Sequence, residues 1–211
     1  MLDSGIWEVA EPLYKKIVLD GGLSTTKPGS LKHWLSGKKQ PSLQSKVIRL
    51  GKFGEKLFAK MVEINPHLEL LPHGIVDGIV EGKKKDIDLL FCDPIKKIIY
   101  YYELKANINL DTEKLPATIE KVKMIEEYLK KEYPDHEIKS AILNWSVFSE
   151  KVYEEDVECK SLISKIKKFE RAGCSVEFPE SFVKIVDFQQ LNRQQFELLG
   201  QELNQLAEAQ Q

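Results

Sequence analysis

The 211-residue chain is 42% hydrophobic and 30% charged, a composition typical of a globular protein with one buried core. Its formal net charge of −2 gives no global indication of nucleic-acid binding, and its apolar runs are too short to cross a bilayer. Cys92, Cys159 and Cys174 form no C-x-x-C pair, so they indicate reduced thiols rather than a zinc site or a disulfide framework. The first residues lack the pattern of a secretory leader, and we expect a cytoplasmic protein without membrane partners.

The amino-terminal part of the chain combines one predicted helix with a basic segment. Residues 6–19 predict a partly amphipathic helix that Pro12 limits or kinks, and a loop rich in Gly, Ser, Thr and Pro follows. Glu55 is the only acid between residues 27 and 60. The basic residues of this segment are Lys27, Lys32, Lys38, Lys39, Lys46, Arg49, Lys52, Lys56 and Lys60. They predict either a solvated face or a surface that follows a phosphate backbone.

The middle of the chain predicts a helix, three strands, a second helix and a further strand. Ser42 can cap a helix that runs to about Ile64, with apolar residues at three- and four-residue steps. The segments LELLPHGIVDGIV, KDIDLLF and KKIIYYYELK then predict a three-strand meander whose last strand is the most buried. A helix capped by Asp111 or Thr112 runs to about Glu132, and IKSAILNWSVFS is the fourth strand.

The carboxyl-terminal part is predicted with less regularity. VYEEDVE is an acidic connector, SLISKIKKFERAG is a helix that Gly173 ends, and CSVEF and SFVKIVDF are short strands. The last segment is a helix with an apolar stripe formed by Phe196, Leu199, Leu203 and Leu206. That stripe predicts either a part of the core or a dimerisation helix.

Four charged residues of the meander carry the functional hypothesis. Asp86 and Asp88 lie in its second strand, and Glu103 and Lys105 lie in its third. Because strand side chains alternate faces, each pair shares a face, and pairing of the strands would bring carboxylates and an ammonium together. Carboxylates and a backbone carbonyl, here that of Leu104, suit a hard cation such as Mg²⁺. Lys105 could then orient a water molecule beside the metal.

Asp88, followed after fourteen residues by Glu103-Leu104-Lys105, resembles the signature of the PD-(D/E)XK nuclease superfamily. The order of predicted elements is similar to the common core of that superfamily. The segment Gly51 to Glu55 resembles the helix glutamate that many members place near the metal. No proline precedes the aspartate in this chain, so either Asp86 or Asp88 can be the metal ligand. We favour Asp88 because three apolar residues follow it, with Asp77 as a third choice.

The resemblance implies an α/β fold with a restriction-endonuclease-like core: helix, three-strand meander, helix and strand, in a mixed sheet flanked by helices. It implies one nuclease domain over residues 1–211, with the core at about 43–147. Residues 1–42 would form an amino-terminal arm, and residues 148–211 an extension for recognition or dimerisation. Catalysis would involve Asp88, Glu103, Lys105 and Glu55, and the Mg²⁺ ligands would come from Asp88, Glu103, Asp86 and Leu104.

Among the branches of the superfamily, the chain is similar to type II restriction endonucleases. That likeness implies Mg²⁺-dependent cleavage of double-stranded DNA by a homodimer, with a cognate DNA methyltransferase protecting the host. The alternatives are a junction-resolving or DNA-repair nuclease, and a non-catalytic DNA-binding subunit of the same fold. The purely structural alternative is a strand-edge salt bridge of Glu103 with Lys105 or a neighbour, with Asp86 in a turn.

Polar residues after the third strand are weaker candidates. Asn107 and Asn109 would reach bases or phosphates, or would simply be turn residues. Lys114 could contact a phosphate. Lys121 and Lys123, further along the same helix, are predicted to be solvated.

Overall fold

A mixed five-stranded sheet with helices on both faces forms the centre of the molecule. The structure is a computed structural model, and it describes residues 2–19, 43–80, 83–106, 108, 114–155 and 160–209. It confirms the predicted α/β class with a mixed sheet flanked by helices. The arm lysines Lys27, Lys32, Lys38 and Lys39, the proposed caps Ser42, Asp111 and Thr112, and Cys159 lie outside the described residues.

The helices follow the apolar periodicity of the sequence in most places. They are α1 (Ser4–Tyr14), α2 (Leu43–Ile64), α3 (Lys114–Glu132), α4 (Lys151–Glu155), α5 (Lys160–Arg171), α6 (Pro179–Ile185) and α7 (Arg193–Glu208). The Asp3 side chain caps α1 by accepting a hydrogen bond from the Gly5 amide at 2.9 Å. A π-helical segment, Lys15–Leu19, continues α1, so the helix predicted over residues 6–19 is confirmed with a change of winding after Pro12.

The strands form two sheets. They are β1 (Glu69–Leu70), β2 (Gly74–Val80), β3 (Lys83–Ile87), β4 (Leu89–Asp93), β5 (Ile98–Lys105), β6 (Glu137–Asn144) and β7 (Ser175–Glu177). The main sheet has the order β1-β4-β5-β6-β7; β1, β4 and β5 pair antiparallel, and β6 and β7 join β5 in parallel. Strand β5 is buried from Ile98 to Leu104, as predicted for the last strand of the meander.

The alternating side chains of β5 divide the interior into two cores. Tyr100, Tyr102 and Leu104 face a core completed by α1, α2, α6 and α7, whereas Ile99 and Tyr101 face a core completed by α3 and α5. Glu103 follows Tyr101 by two residues, so it belongs to the face that α3 covers. The apolar residues Val122, Ile125 and Leu129 hold α3 against that face.

The three-strand meander was predicted as one sheet, and that prediction is wrong in one respect. Strands β2 and β3 form a separate antiparallel pair, and β4 pairs with β5 only from Leu89 onward. The middle segment therefore pairs backward with β2 and forward with β5, and Asp88 lies at the break. Consequently Asp86 and Asp88 do not lie on one continuous strand.

Two segments of the carboxyl-terminal part were assigned incorrectly. The segment VYEEDVE, predicted as a connector, begins in a helix, Lys151–Glu155, in which Tyr153 is buried in the core. SFVKIVDF, predicted as a strand, lies mostly in α6: Pro179 opens the helix, and the Ser181 hydroxyl donates to the Phe178 carbonyl at 2.9 Å. The stripe on α7 belongs to the core, with Leu199 and Leu203 buried, and CSVEF is confirmed as a strand.

Candidate functional site

Asp88 lies between β3 of the two-stranded sheet and β4 of the main sheet. The ladder between β4 and β5 ends at Leu89 and Tyr102, which leaves the backbone amide of Leu104 without a strand partner on that side. The Asp88 carboxylate takes this position: the Leu104 amide donates to its Oδ2 at 2.8 Å. Since a residue in a strand directs its amide and carbonyl to the same edge, the Leu104 carbonyl also faces the Asp88 side. The favoured aspartate and the predicted carbonyl therefore belong to one place in the fold.

Glu103 is the buried centre of the cluster, with 2% of its surface exposed. Lys105 Nζ donates to Glu103 Oε1 at 2.7 Å, and the Tyr101 hydroxyl donates to Oε2 at 3.1 Å. Burial and the charge of Glu103 raise the pKa of Tyr101, so this hydroxyl remains a donor. The predicted contact of Glu103 with Lys105 is confirmed; Glu103 is buried, whereas the Lys105 side chain is 24% exposed.

Lys121 of α3 completes the cluster, and the prediction that it is solvated is wrong. Its Nζ lies 2.5 Å from Glu103 Oε2 and 3.5 Å from Asp88 Oδ1, and 22% of its side chain is exposed. One turn of α3 separates it from Ile125, whose burial fixes the helix against the sheet. Position 121 lies next to the apolar stripe of α3, which is the sequence feature that could have indicated an inward-reaching lysine.

The two carboxylates of the cluster have pKa values shifted in opposite directions. Burial, followed by the neighbouring charge of Glu103, raises the pKa of Asp88 to about 7. Burial acts in the same direction on Glu103, but Lys105 and Lys121 outweigh it and hold the pKa of Glu103 below its ordinary value. Burial likewise opposes the charge of Lys121, yet Glu103 and Asp88 raise its pKa. Glu103 is thus the stable anion and Asp88 the carboxylate that most needs a cation.

Glu55 lies on α2, within electrostatic range of Lys121 of the cluster. It is half-buried, and its pKa is raised by burial and by the nearby charge of Asp86, while Lys121 is among the cations that act against the rise. Its neighbour Gly54 packs under Trp145, the residue after β6: a Cβ at position 54 would lie 2.5 Å from the Trp145 ring. A glycine at this position lets α2 pack closely against the residue that follows β6.

The remaining predicted residues are distributed around the cluster. Asp86 is exposed on β3 opposite Ile75, and Asp77 forms an exposed salt bridge with Lys84. Asn107 and Asn109 lie outside the described residues, and Lys114 begins α3. Lys52, Lys56 and Lys60 are exposed on α2, and Lys123 is exposed on α3 as predicted.

A group of three polar side chains, with Asn144 and Tyr153 buried and Ser146 exposed, lies beyond Lys105 and was not predicted. Asn144 is opposite Lys105 in the register of β5 and β6, and its Nδ2 donates to the Tyr153 hydroxyl at 2.8 Å. Ser146 Oγ lies 3.0 Å from the same hydroxyl. The amide of Trp145 donates to the Lys105 carbonyl at 3.0 Å, which fixes the end of β5. These contacts stabilise the backbone that carries Lys105.

The residues present suit a hard divalent cation held by two carboxylates. Asp88 Oδ1 and Glu103 Oε2 both contact one ammonium, that of Lys121, which shows that oxygens from the two side chains converge on a single cationic point. Mg²⁺ is commonly held by one or two carboxylates and keeps several waters, so a third acidic side chain is not required. In the part of the chain that the structure describes, no three of the His, Cys, Asp and Glu residues form a metal-binding group.

No protein-family model, curated protein or solved structure matches this chain. None of the helices in the described ranges is long and apolar enough to pass through a bilayer. Cys92 and Cys174 are buried free thiols, as predicted.

Proposed function

We propose that this protein is a Mg²⁺-dependent endonuclease that hydrolyses phosphodiester bonds in double-stranded DNA. One observation carries the proposal: buried carboxylates from Asp88 and Glu103 converge on a single cationic point, with Lys105 against the second of them. Two carboxylates with a lysine beside them suit a hard cation and an activated water for phosphodiester hydrolysis. The resemblance of these three residues to the PD-(D/E)XK signature supports the same chemistry.

Each residue has a distinct part in the proposed reaction. Mg²⁺, when bound, would supply an activated water and offset the negative charge that develops on the phosphate. Asp88 and Glu103 would hold that ion, with the Leu104 carbonyl on the same edge. Glu103 also fixes Lys105 Nζ, 2.7 Å from its Oε1, so that the amine can orient the attacking water and stabilise charge on the phosphoryl oxygens. Glu55 would contact the outer water shell.

The surroundings of the cluster support a polyanionic substrate. The side chains of Lys105 and Lys121 keep 24% and 22% of their surface exposed, so the site is open on one side. Lys52 and Lys56 are exposed on α2 beside Glu55 and influence its ionisation. Basic residues on one surface attract nucleic acid through the phosphates, without selecting a sequence.

Within this activity we propose a type II restriction enzyme that acts as a homodimer and is paired with a DNA methyltransferase of the same specificity. The likeness of the motif and of the predicted core to that branch supports this choice. Two-fold symmetric DNA sites are matched by two-fold symmetric proteins. A junction-resolving or repair nuclease would use the same cluster on a different DNA structure.

Plasmid cleavage in Mg²⁺ tests the proposal. We expect the Glu103→Gln and Lys105→Met proteins to lose roughly 10²- to 10⁴-fold in cleavage rate, because each loses a group that acts on the reacting atoms. The matched controls are Glu120→Gln and Lys123→Met, two exposed positions of α3 that should cleave like the wild type. Equal cleavage by the wild type and the two site variants would contradict the assignment.

The products identify the substrate. Discrete fragments with a common end sequence indicate a restriction enzyme, whereas preferential cleavage of a four-way junction indicates a resolving nuclease. DNA binding without cleavage, and without heat on titration with Mg²⁺, would instead identify a non-catalytic subunit whose cluster is a structural ion-pair network.

A further inference from the structure

Lys121 differs from the other lysines of α3 in its environment. Lys123, Lys130 and Lys131 are exposed, whereas Lys121 is largely covered and contacts two carboxylates. A lysine with this burial and two anionic partners is not part of the solvated face of the helix.

The two lysines of the cluster occupy different positions. Of the two carboxylates, Lys105 is in contact with Glu103, through Oε1 at 2.7 Å. Lys121 lies between the carboxylates, 2.5 Å from Glu103 Oε2 and 3.5 Å from Asp88 Oδ1. The position of Lys121 Nζ is therefore the position from which a divalent cation would contact both ligands. An ammonium and a metal ion cannot occupy that position together.

We infer that Lys121 is a positioning residue that serves as the resident cation of the metal-free site, and that a divalent cation binds by displacing it. This inference rests on the proposed metal site and adds a competitor to it. In the metal-free protein the ammonium holds two buried carboxylates together, which keeps their oxygens arranged for the ion. Because the ammonium must be displaced, the observed metal affinity reflects the difference between the binding free energies of the metal ion and of the ammonium at the two carboxylates.

Titration calorimetry with Ca²⁺ alone, without DNA, tests the inference. Ca²⁺ is a hard cation with the same preference for oxygen ligands. In Lys121→Met the competing ammonium is absent, so Ca²⁺ can bind without first breaking its charge-assisted contacts with the carboxylates. We therefore expect Ca²⁺ to bind to this variant roughly 10- to 100-fold more tightly than to the wild type. A residue that only supported the fold would weaken metal binding when removed.

Two further variants are the controls. Lys121→Arg keeps a cation that can span both carboxylates, so its Ca²⁺ affinity should stay within about threefold of the wild type. Lys123→Met removes an exposed charge from the same helix and should bind Ca²⁺ like the wild type, which separates local competition from a change in overall charge. Circular dichroism of each variant establishes that the fold is kept; if Lys121→Met does not fold, Lys121→Gln replaces it.

The outcomes separate the inference from the proposed function. Ca²⁺ affinity that is equal or weaker in folded Lys121→Met, together with metal binding and DNA cleavage by the wild type, overturns the inference alone. If the wild type shows no Ca²⁺ binding and no DNA cleavage, the proposed function is overturned, and the inference falls with it. Tighter Ca²⁺ binding in Lys121→Met, with Lys121→Arg and Lys123→Met unchanged, establishes Lys121 as the competitor.

Discussion

Replacing Asp88 by asparagine should stabilise the metal-free protein. Asp88 is largely buried, and its charge lies near that of Glu103, so the pKa of its carboxyl is raised from the ordinary value of 3.8 to about 7. Asparagine has nearly the same shape and its oxygen can still accept the hydrogen bond from the Leu104 amide, 2.8 Å away in the wild type. The substitution therefore removes a buried charge and keeps the main contact.

The magnitude follows from the pKa. Between pH 4 and pH 7 the native protein binds a proton at Asp88 that the unfolded chain has released, so stability falls as the pH rises through this window. Each tenfold change in proton affinity is worth about 1.4 kcal/mol, so the full rise costs about 4 kcal/mol above pH 7. We expect Asp88→Asn to exceed the wild type by about 4 kcal/mol at pH 8 and by less than about 1 kcal/mol at pH 4.

Urea unfolding in the presence of a chelator, followed by circular dichroism at pH 4, 6 and 8, measures this difference. Asp93→Asn is the control of opposite sign. Burial opposes the ionised form of Asp93, but hydrogen bonds from Lys96 outweigh it and lower its pKa. That variant should lose stability at neutral pH, and the loss should vanish as the pH falls. If Asp93→Asn behaves so while Asp88→Asn gains nothing at pH 8, a buried ionised Asp88 does not strain the fold.

Two other substitutions test the supports of the site. Gly54→Ala should destabilise the fold by about 1–3 kcal/mol, because its Cβ would lie 2.5 Å from the Trp145 ring; an unchanged urea midpoint would show that α2 moves freely there. Tyr101→Phe removes the donor at 3.1 Å from Glu103 Oε2 and should cost about 1.5–3 kcal/mol in the same assay. Tyr128→Phe removes a hydroxyl that lies 3.5 Å from Glu132 in an exposed hydrogen bond, and it should cost less than about 0.5 kcal/mol. Equal effects of the two tyrosine variants would contradict the buried hydrogen bond.

The sequence predicted the elements whose pattern is local. Apolar residues recur in α2 at three- and four-residue steps, as in a helix, and β5 is a short run of β-branched and aromatic residues, as in a buried strand. Both elements were therefore placed correctly. Alternation along β5 also put Glu103 and Lys105 on one face, and their contact at 2.7 Å follows from it.

The errors arose where tertiary contacts decide the structure. SFVKIVDF has strand-like composition, but Phe182 packs edge-to-face against Phe58 and Tyr102, which favours a helix at that place. The strand break at Asp88 depends on β2 and β5 together, and a single strand segment contains no sign of it. Lys121 was missed because its role depends on two carboxylates far away in sequence, whereas its neighbours on α3 are ordinary surface lysines.

The most direct test of the central claim is the rate at which the wild type linearises supercoiled plasmid in Mg²⁺, compared with Glu103→Gln and with wild type in a chelator. Hydrolysis at the Asp88, Glu103 and Lys105 cluster predicts cleavage by the wild type in Mg²⁺, no cleavage with the chelator, and at least about a hundredfold loss in Glu103→Gln. Cleavage that persists in the chelator, or in folded Glu103→Gln at the wild-type rate, would contradict it.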